Sequence, residues 1–299
     1  MRVQVLFVGF VASCICFAQD FTLPTLKGDI VVKVTETNPA FLTSLRIKGT
    51  ITNNTPVDLQ NIVLQSAFYD ADAREMTEVC RLTALYCNTS ALPARVPAGK
   101  TVDWLSVARF PYDPTVPGIA RGPNFKSFKL SLKSADYNIG WHFSLVKPQA
   151  NDTLSFENQF ILATFSPDSD GFGVTLKNKT TEPLSINWNN LSWVDFSGDA
   201  HKLIHAGVKL VDRELPQTPT VIPPLARITE TLFPSDHIIL VSSDWTRVPL
   251  WSAHASVLKD NSLTLKKLEG ASMSLFMPLE INGKVVNYNF IFKVEKLDY

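Results

Sequence analysis

The sequence predicts an all-β chain, two antiparallel β-sandwich domains behind an N-terminal secretory signal peptide. Three observations carry this. Apolar and polar residues alternate with a period of two in several separate stretches, the pattern of half-buried strands. Turn formers are frequent, with 19 prolines spread among runs of Val, Ile, Phe and Leu. Short motifs recur at an offset of 125 residues, as two similar domains would give. A length of 299 residues also suits two domains of about 100–200 residues each.

The leader differs from everything after it. Arg2 is its only charge, the apolar run Val5–Ala12 follows, and Asp20 is the first acidic residue. A positive start, a short apolar stretch and small residues at the exit make a signal peptide over residues 1–18, and the run is too short to span a bilayer. Two cleavage readings stand. Cleavage after Ala18 leaves Gln19 first. Alternatively Val11-Ala12-Ser13-Cys14 resembles a bacterial lipobox, which would make Cys14 the lipidated first residue and convert a soluble protein into an anchored one. With cleavage after Ala18, Cys80 and Cys87 remain, an even pair expected to form a disulfide in an oxidising compartment.

The strand signals are specific. Leu45, Ile47, Gly49 and Ile51 alternate with Ser44, Arg46, Lys48 and Thr50, and Phe128, Leu130 and Leu132 alternate with Ser127, Lys129, Ser131 and Lys133. Near the C-terminus Val286, Tyr288, Phe290, Phe292 and Val294 share one face. Before them runs Leu275–Ile281, and Asn282-Gly283 lies between, the strongest short-range hairpin signal because both residues tolerate positive φ. Helix signals are thin, with room for a turn or two within Ala73–Tyr86.

A polar, proline-bearing stretch places a linker at residues 148–157, between a first domain at 24–147 and a second at 158–299. Asn53, Thr55, Leu59 and Asp70 recur as Asn178, Thr180, Leu184 and Asp195, and Val96-Pro97 is echoed by Ile222-Pro223. Strands and turns at this spacing fit immunoglobulin-like sandwiches.

Two resemblances extend the reading. Gly49-Thr50-Ile51-Thr52-Asn53-Asn54, Phe68-Tyr69-Asp70-Ala71-Asp72 and Val96-Pro97-Ala98-Gly99-Lys100 resemble the small extracellular bacterial immunoglobulin-like domain known for a Phe-x-Leu-Tyr-Asp signature, over roughly residues 30–135. The chain departs from it by the insertion Ala73–Arg95 and by Phe68-Tyr69 in place of the spaced motif. The second half, roughly residues 158–296, resembles an uncharacterised family of bacterial exported proteins that includes candidate lipoproteins. Its marks are Ile186-Asn187-Trp188, Leu203-Ile204-His205-Ala206-Gly207-Val208, Pro219–Pro224, Phe233-Pro234, Pro249-Leu250-Trp251 and Tyr288-Asn289-Phe290. Leu225-Ala226 replace that family's Gly-Ser, and the family supplies no catalytic residues. The resemblances imply a bacterial envelope setting.

The chemistry-bearing residues are few. His201 and His205 are four apart with Asp195 and Asp199 nearby, a metal candidate on a helix, but their neighbours read as strand. There, four residues span about 13 Å at a rise of about 3.3 Å, too far to share one ion. Asp168-Ser169-Asp170-Gly171 begins like a calcium loop, lacks the later Glu, and reads as a β-turn. Trp188, Trp193, Trp245 and Trp251 could form a ligand platform or fill a core. The Asn-x-Ser/Thr triplets at Asn53, Asn88, Asn151, Asn178 and Asn190 read as turns. No nucleophile elbow, phosphate loop or dinucleotide fingerprint is written in the sequence.

Composition narrows the function. Hydrophobic residues make up 45% and charged residues 19%, unlike a disordered chain. Lys plus Arg and Asp plus Glu balance at 28 each, which excludes broad electrostatic capture of nucleic acid. The expectation is a non-enzymatic envelope protein, exported to the periplasm or cell envelope, that binds or assembles with an envelope protein or glycan. No cofactor is expected, no nucleic acid, and membrane contact only through a lipid on Cys14. The alternatives are a ligand-binding lipoprotein using the tryptophans, and a metal-dependent enzyme or metal carrier using His201 and His205.

Overall fold

The computed structural model describes residues 19–41, 44–69, 72–74, 89–91, 94–109 and 127–299. Residues 1–18 with Cys14, the pair Cys80 and Cys87, Asp70, and most of the stretch expected to hold a helical turn lie outside them. The described chain is all-β, with several antiparallel sheets. It divides into two compact units. One runs through Asn138 and adds Ser256–Asp260, and the other is Ile139–Ala255 with Asn261–Tyr299.

Unit 1 contains β1 (Gln19–Thr25), β2 (Gly28–Phe41), β3 (Ser44–Asn53), β4 (Leu59–Tyr69), β5 (Thr89–Ala91), β6 (Arg95–Val96), β7 (Thr101–Arg109) and β8 (Ser127–Asn138). One sheet has the order β1-β2-β3-β7. In the other, β4 pairs with β8, β5 and β6. Alternation decides the faces as expected: Ile47, Gly49 and Ile51 point inward from β3, as do Phe128 and Leu130 from β8. Phe21 of β1 and Phe128 of β8 meet with ring centroids 5.8 Å apart, so the two inner faces share one core. Val257, fully buried, is built into this unit. Its N–H donates to Ala135 O and its carbonyl accepts from Leu26 N, each at 2.9 Å.

Unit 2 follows with β9 (Gly140–Lys147), β10 (Ser155–Glu157), β11 (Ile161–Asp168), β12 (Gly171–Asn178), β13 (Leu184–Ile186), β14 (Ser192–Val194), β15 (Ala200–His205), β16 (Thr220–Ile222) and β17 (Arg227–Pro234). After these come the hairpin strands β18 (Ile238–Val241) and β19 (Asp244–Arg247), then β20 (His254–Ser256), which carries the chain back to unit 1. The helix α1 (Ser262–Lys266) and the long pair β21 (Ser272–Ile281) and β22 (Lys284–Asp298) complete it. The path β10-β11-β12-β17-β15-β14-β21-β13-β16 forms a nearly closed nine-strand barrel. Phe165 of β11 lies 4.6 Å from Phe290 and 5.1 Å from Phe292 of β22, ring to ring, with Phe172 of β12 at 5.0 Å from Phe292. Between β21 and β22, Asn282 (φ 52) and Gly283 (φ 70) make the tight turn their sequence predicts.

The two units repeat one plan. The order β1-β2-β3-β7 corresponds to β10-β11-β12-β17, with β8 beside β4 matched by β21 beside β13, and β6 beside β4 by β16 beside β13. The boundary differs from the linker expected at 148–157. β9, placed by sequence in the first domain, pairs along β22 in unit 2, with Val294 opposite Phe143 and Leu297 opposite Trp141. Leu145 is fully buried in the unit 2 core. The expected linker is ordered structure: Asn151 exchanges backbone hydrogen bonds with Leu145, and its side chain donates to Ser155 O at 2.7 Å, leading into β10.

Candidate functional site

A group of titratable side chains, His201, Asp236 and His237 with Asp195, gathers in unit 2 where β15 changes partners. Ala200–Lys202 pair with β14, whereas Leu203–His205 pair with β17. The antiparallel register that sets Leu203 opposite Pro234 and Ile204 opposite Phe233, continued two residues past the end of β17, sets His201 opposite Asp236. Asp236 and His237 belong to a single 3-10 turn, Ser235–His237, between β17 and β18.

Each side chain is positioned by its backbone. Asp195 opens the β14–β15 turn. Its Oδ1 accepts from Ser197 N (2.8 Å) and Asp199 N (2.9 Å), while Gly198 takes a φ of 89° that suits glycine. That fixes the carboxylate with Oδ2 lying 3.7 Å from His201 Nε2. On the other side of the ring, His201 Nδ1 lies 2.7 Å from Asp236 Oδ2. The His237 ring stands at 80° to the His201 ring, centroids 5.2 Å apart, and Trp193 packs on both at 5.1 and 5.9 Å. One donor atom each from His201, Asp236 and His237 lies within 4.8 Å of the other two. Among the described residues His201 Nε2 and His237 Nδ1 are buried without a hydrogen-bond partner, an uncommon condition for polar atoms.

The structure redistributes the residues singled out by sequence. His201 and Asp195 come together, but His205 and Asp199 do not join them. His205 stacks on Trp188 with centroids 4.8 Å apart, faces Glu230 at 3.6 Å and accepts from Gly207 N at 3.3 Å. Asp199 contributes its backbone to the turn. Asp236 and His237 carry no motif, and only the β15–β17 register would have found them. The tryptophans offer no platform: Trp188, Trp193 and Trp251 are buried in the core, and Trp245 is covered by the Arg213 guanidinium at 4.3 Å. Trp188 Nε1 donates inward to Thr220 Oγ1 at 2.8 Å. Asp168 pairs with Gly171 across the two-residue β11–β12 turn, and its Oδ1 accepts from Asp170 N.

The Ser235–His237 turn roots the β18–β19 hairpin. Val248 N donates to His237 O at its base, and Ile238 is buried against Ile204 and Phe233. Arg247 lies 3.7 Å over the Phe233 ring. Beyond that anchorage Ile239, Leu240 and Val241 are about half exposed, at 45%, 55% and 49%. Beside His205 opens a separate cleft of about 500 Å³ bordered by Lys209, Asp212 and Gln217. Among the described residues no helix is long and apolar enough to cross a membrane.

No family model and no curated protein matches the chain. Among solved structures it is similar to the crystal structure of red sea bream transglutaminase, at 12% identity and a TM-score of 0.21. That match covers 87% of this chain and 31% of the transglutaminase.

Proposed function

We propose that this is an exported, non-enzymatic protein of the bacterial cell envelope that acts by binding an envelope partner, with both units built as immunoglobulin-like sandwiches. The observation that carries the reading is the β18–β19 hairpin. Three successive apolar residues are half exposed on a two-stranded sheet that pairs with no further strand among the described residues. Contiguous exposed apolar surface of this kind costs solubility and marks interaction sites. The composition of residues 1–18 and the resemblances of both halves support export. Cys80 and Cys87, an even pair once the chain is cut after Ala18, suit an oxidising compartment, where they would form a disulfide.

For an enzyme alternative built on His201, the geometry offers no presented base. His201 and Asp236 make a base and its orienter, but the remaining ring nitrogen is buried against Asp195 and is not presented to a substrate. The test is affinity capture from envelope extracts with the wild-type protein and Leu240→Asp as parallel baits. The expected result is a partner held by the first and lost by the second, with unchanged thermal unfolding. Identical captures by both baits would overturn the hairpin's role. Turnover of envelope polymers by the purified protein, abolished by one substitution, would overturn the non-enzymatic reading. Mass measurement of the non-reduced mature protein reports the N-terminus, any lipid on Cys14 and the Cys80–Cys87 bridge together.

A further inference from the structure

We propose that the corner formed by β15 and the Ser235–His237 turn binds one divalent transition-metal ion of the zinc class through His201, Asp236 and His237, with Asp195 as the residue that positions His201. The inference is independent of the envelope-binding reading.

Four observations support it. The donor set comes first: two imidazoles and one carboxylate, with ligand atoms mutually within 4.8 Å. Bonds of about 2.0–2.1 Å in tetrahedral geometry separate ligand atoms by about 3.4 Å. Small side-chain rotations of about an ångström would therefore close the group around an ion. The second is the orphaned His237 Nδ1, buried with no partner among the described residues. A cation satisfies a lone pair there at no cost in new buried donors. The third is the pairing around His201. Nδ1 faces Asp236 at 2.7 Å, and Nε2 faces Asp195 Oδ2 at 3.7 Å. With the ion on Nδ1, the ring proton resides on Nε2, and the small ring rotation that closes the group would bring it within hydrogen-bond reach of Asp195 Oδ2, now 3.7 Å away. This is the carboxylate–histidine–metal relay that fixes tautomer and ring orientation. The fourth is that Asp195 is held by two backbone N–H groups of its own turn, so the relay carboxylate is set before any ion arrives.

The chemistry selects the ion. Imidazole nitrogens with one carboxylate suit zinc, copper, nickel and cobalt. Calcium and magnesium demand six or more oxygens, which one carboxylate and two imidazoles do not supply. Three protein donors leave one tetrahedral position for solvent or a partner's side chain.

The experiment uses the full mature chain, stripped with a chelator and dialysed against zinc chloride, then assayed for metal per chain and for zinc affinity by competition with a chromophoric chelator. One zinc per chain is expected for the wild type and for His142→Ala, whose ring lies on β9. A loss of affinity of a hundredfold or more is expected for His237→Gln and Asp236→Asn. Asp195→Asn keeps the stoichiometry but weakens binding about 10–100-fold, the usual cost of removing an orienting carboxylate. In the cobalt-loaded protein, Asp195→Asn leaves the ligand-field spectrum tetrahedral, whereas His237→Gln abolishes it. Near-ultraviolet circular dichroism confirms that each variant is folded. A wild-type chain that takes up no zinc, or a folded His237→Gln that holds it unchanged, overturns the site. Preference for calcium over zinc overturns the assignment of the ion. Unchanged affinity in Asp195→Asn overturns the positioning role.

Discussion

Asn53 and Asn178 do the same work in the two units. Each is fully buried. Asn53 Oδ1 accepts from the N–H and hydroxyl of Thr55, and its Nδ2 donates to Val57 O and Val96 O. Asn178 Oδ1 accepts from the N–H and hydroxyl of Thr180, and its Nδ2 donates to Glu182 O and Ile222 O. In both cases one amide ties the end of an inner strand to the turn that follows it and to a neighbouring short strand.

The shared role predicts matched costs. Asn53→Ala and Asn178→Ala each strand buried carbonyls and are expected to cost about 2–4 kcal/mol, from unsatisfied groups worth about 1–3 kcal/mol each. Denaturant unfolding of both variants checks this. A change below about 0.5 kcal/mol in either would show that the network is dispensable there.

The glycines predict a contrast. A Cβ on Gly49 would lie 2.0 Å from Lys33 O, which is backbone inside a sheet and cannot move aside. A Cβ on Gly173 would meet Ser166 Oγ at 2.1 Å, a side chain that can be removed. Both alanine variants are expected to lose about 1–3 kcal/mol, the range for overpacking. Adding Ser166→Ala should restore most of the loss at Gly173. Thermal melts of the three proteins decide it, and failure of the double variant to recover would contradict the contact.

Acid stability should depend on Asp58. The Ala98 N–H donating to Oδ1, and then the Arg95 guanidinium, hold this carboxyl below the ordinary carboxylate range. A depressed folded value means that the contribution is complete above the unfolded value of about 3.9 and is lost as pH falls through the folded value. The stability gap between wild type and Asp58→Asn is therefore constant near neutrality and shrinks on acidification below about pH 4. Denaturation midpoints across that range test it, and parallel curves would refute the linkage.

The aromatic interior of unit 2 predicts a large single-site effect. Phe290 is fully buried and touches Phe165 at 4.6 Å, Phe156 at 5.7 Å and Tyr288 at 5.9 Å, ring to ring. Phe290→Ala is expected to cost about 3–5 kcal/mol, the usual range for buried phenylalanine. The shift in urea midpoint reports it.

Short-range patterns were legible in the sequence. Alternation placed Ile47 and Ile51, or Phe290 and Phe292, on inner faces, and Asn282-Gly283 announced its turn. The repeat was legible because Asn53 and Asn178 each need a threonine two residues on. What escaped depends on pairings distant in sequence. β9 joins β22 across some 150 residues, so no local signal assigns it to unit 2. His201 meets Asp236 through a register between β15 and β17 that no spacing encodes. The tryptophans were ambiguous because core and platform use the same residue, and only burial separates them.

The return of residues 256–260 to unit 1 has a consequence for how the chain matures. Synthesis from the N-terminus delivers β1–β8 well before Val257, whose two backbone hydrogen bonds tie it to Leu26 and Ala135. Unit 1 therefore emerges with a gap that closes only after most of unit 2 has been synthesised. A gene cut at residue 152 would yield a front half lacking that closing segment and a back half stripped of β9.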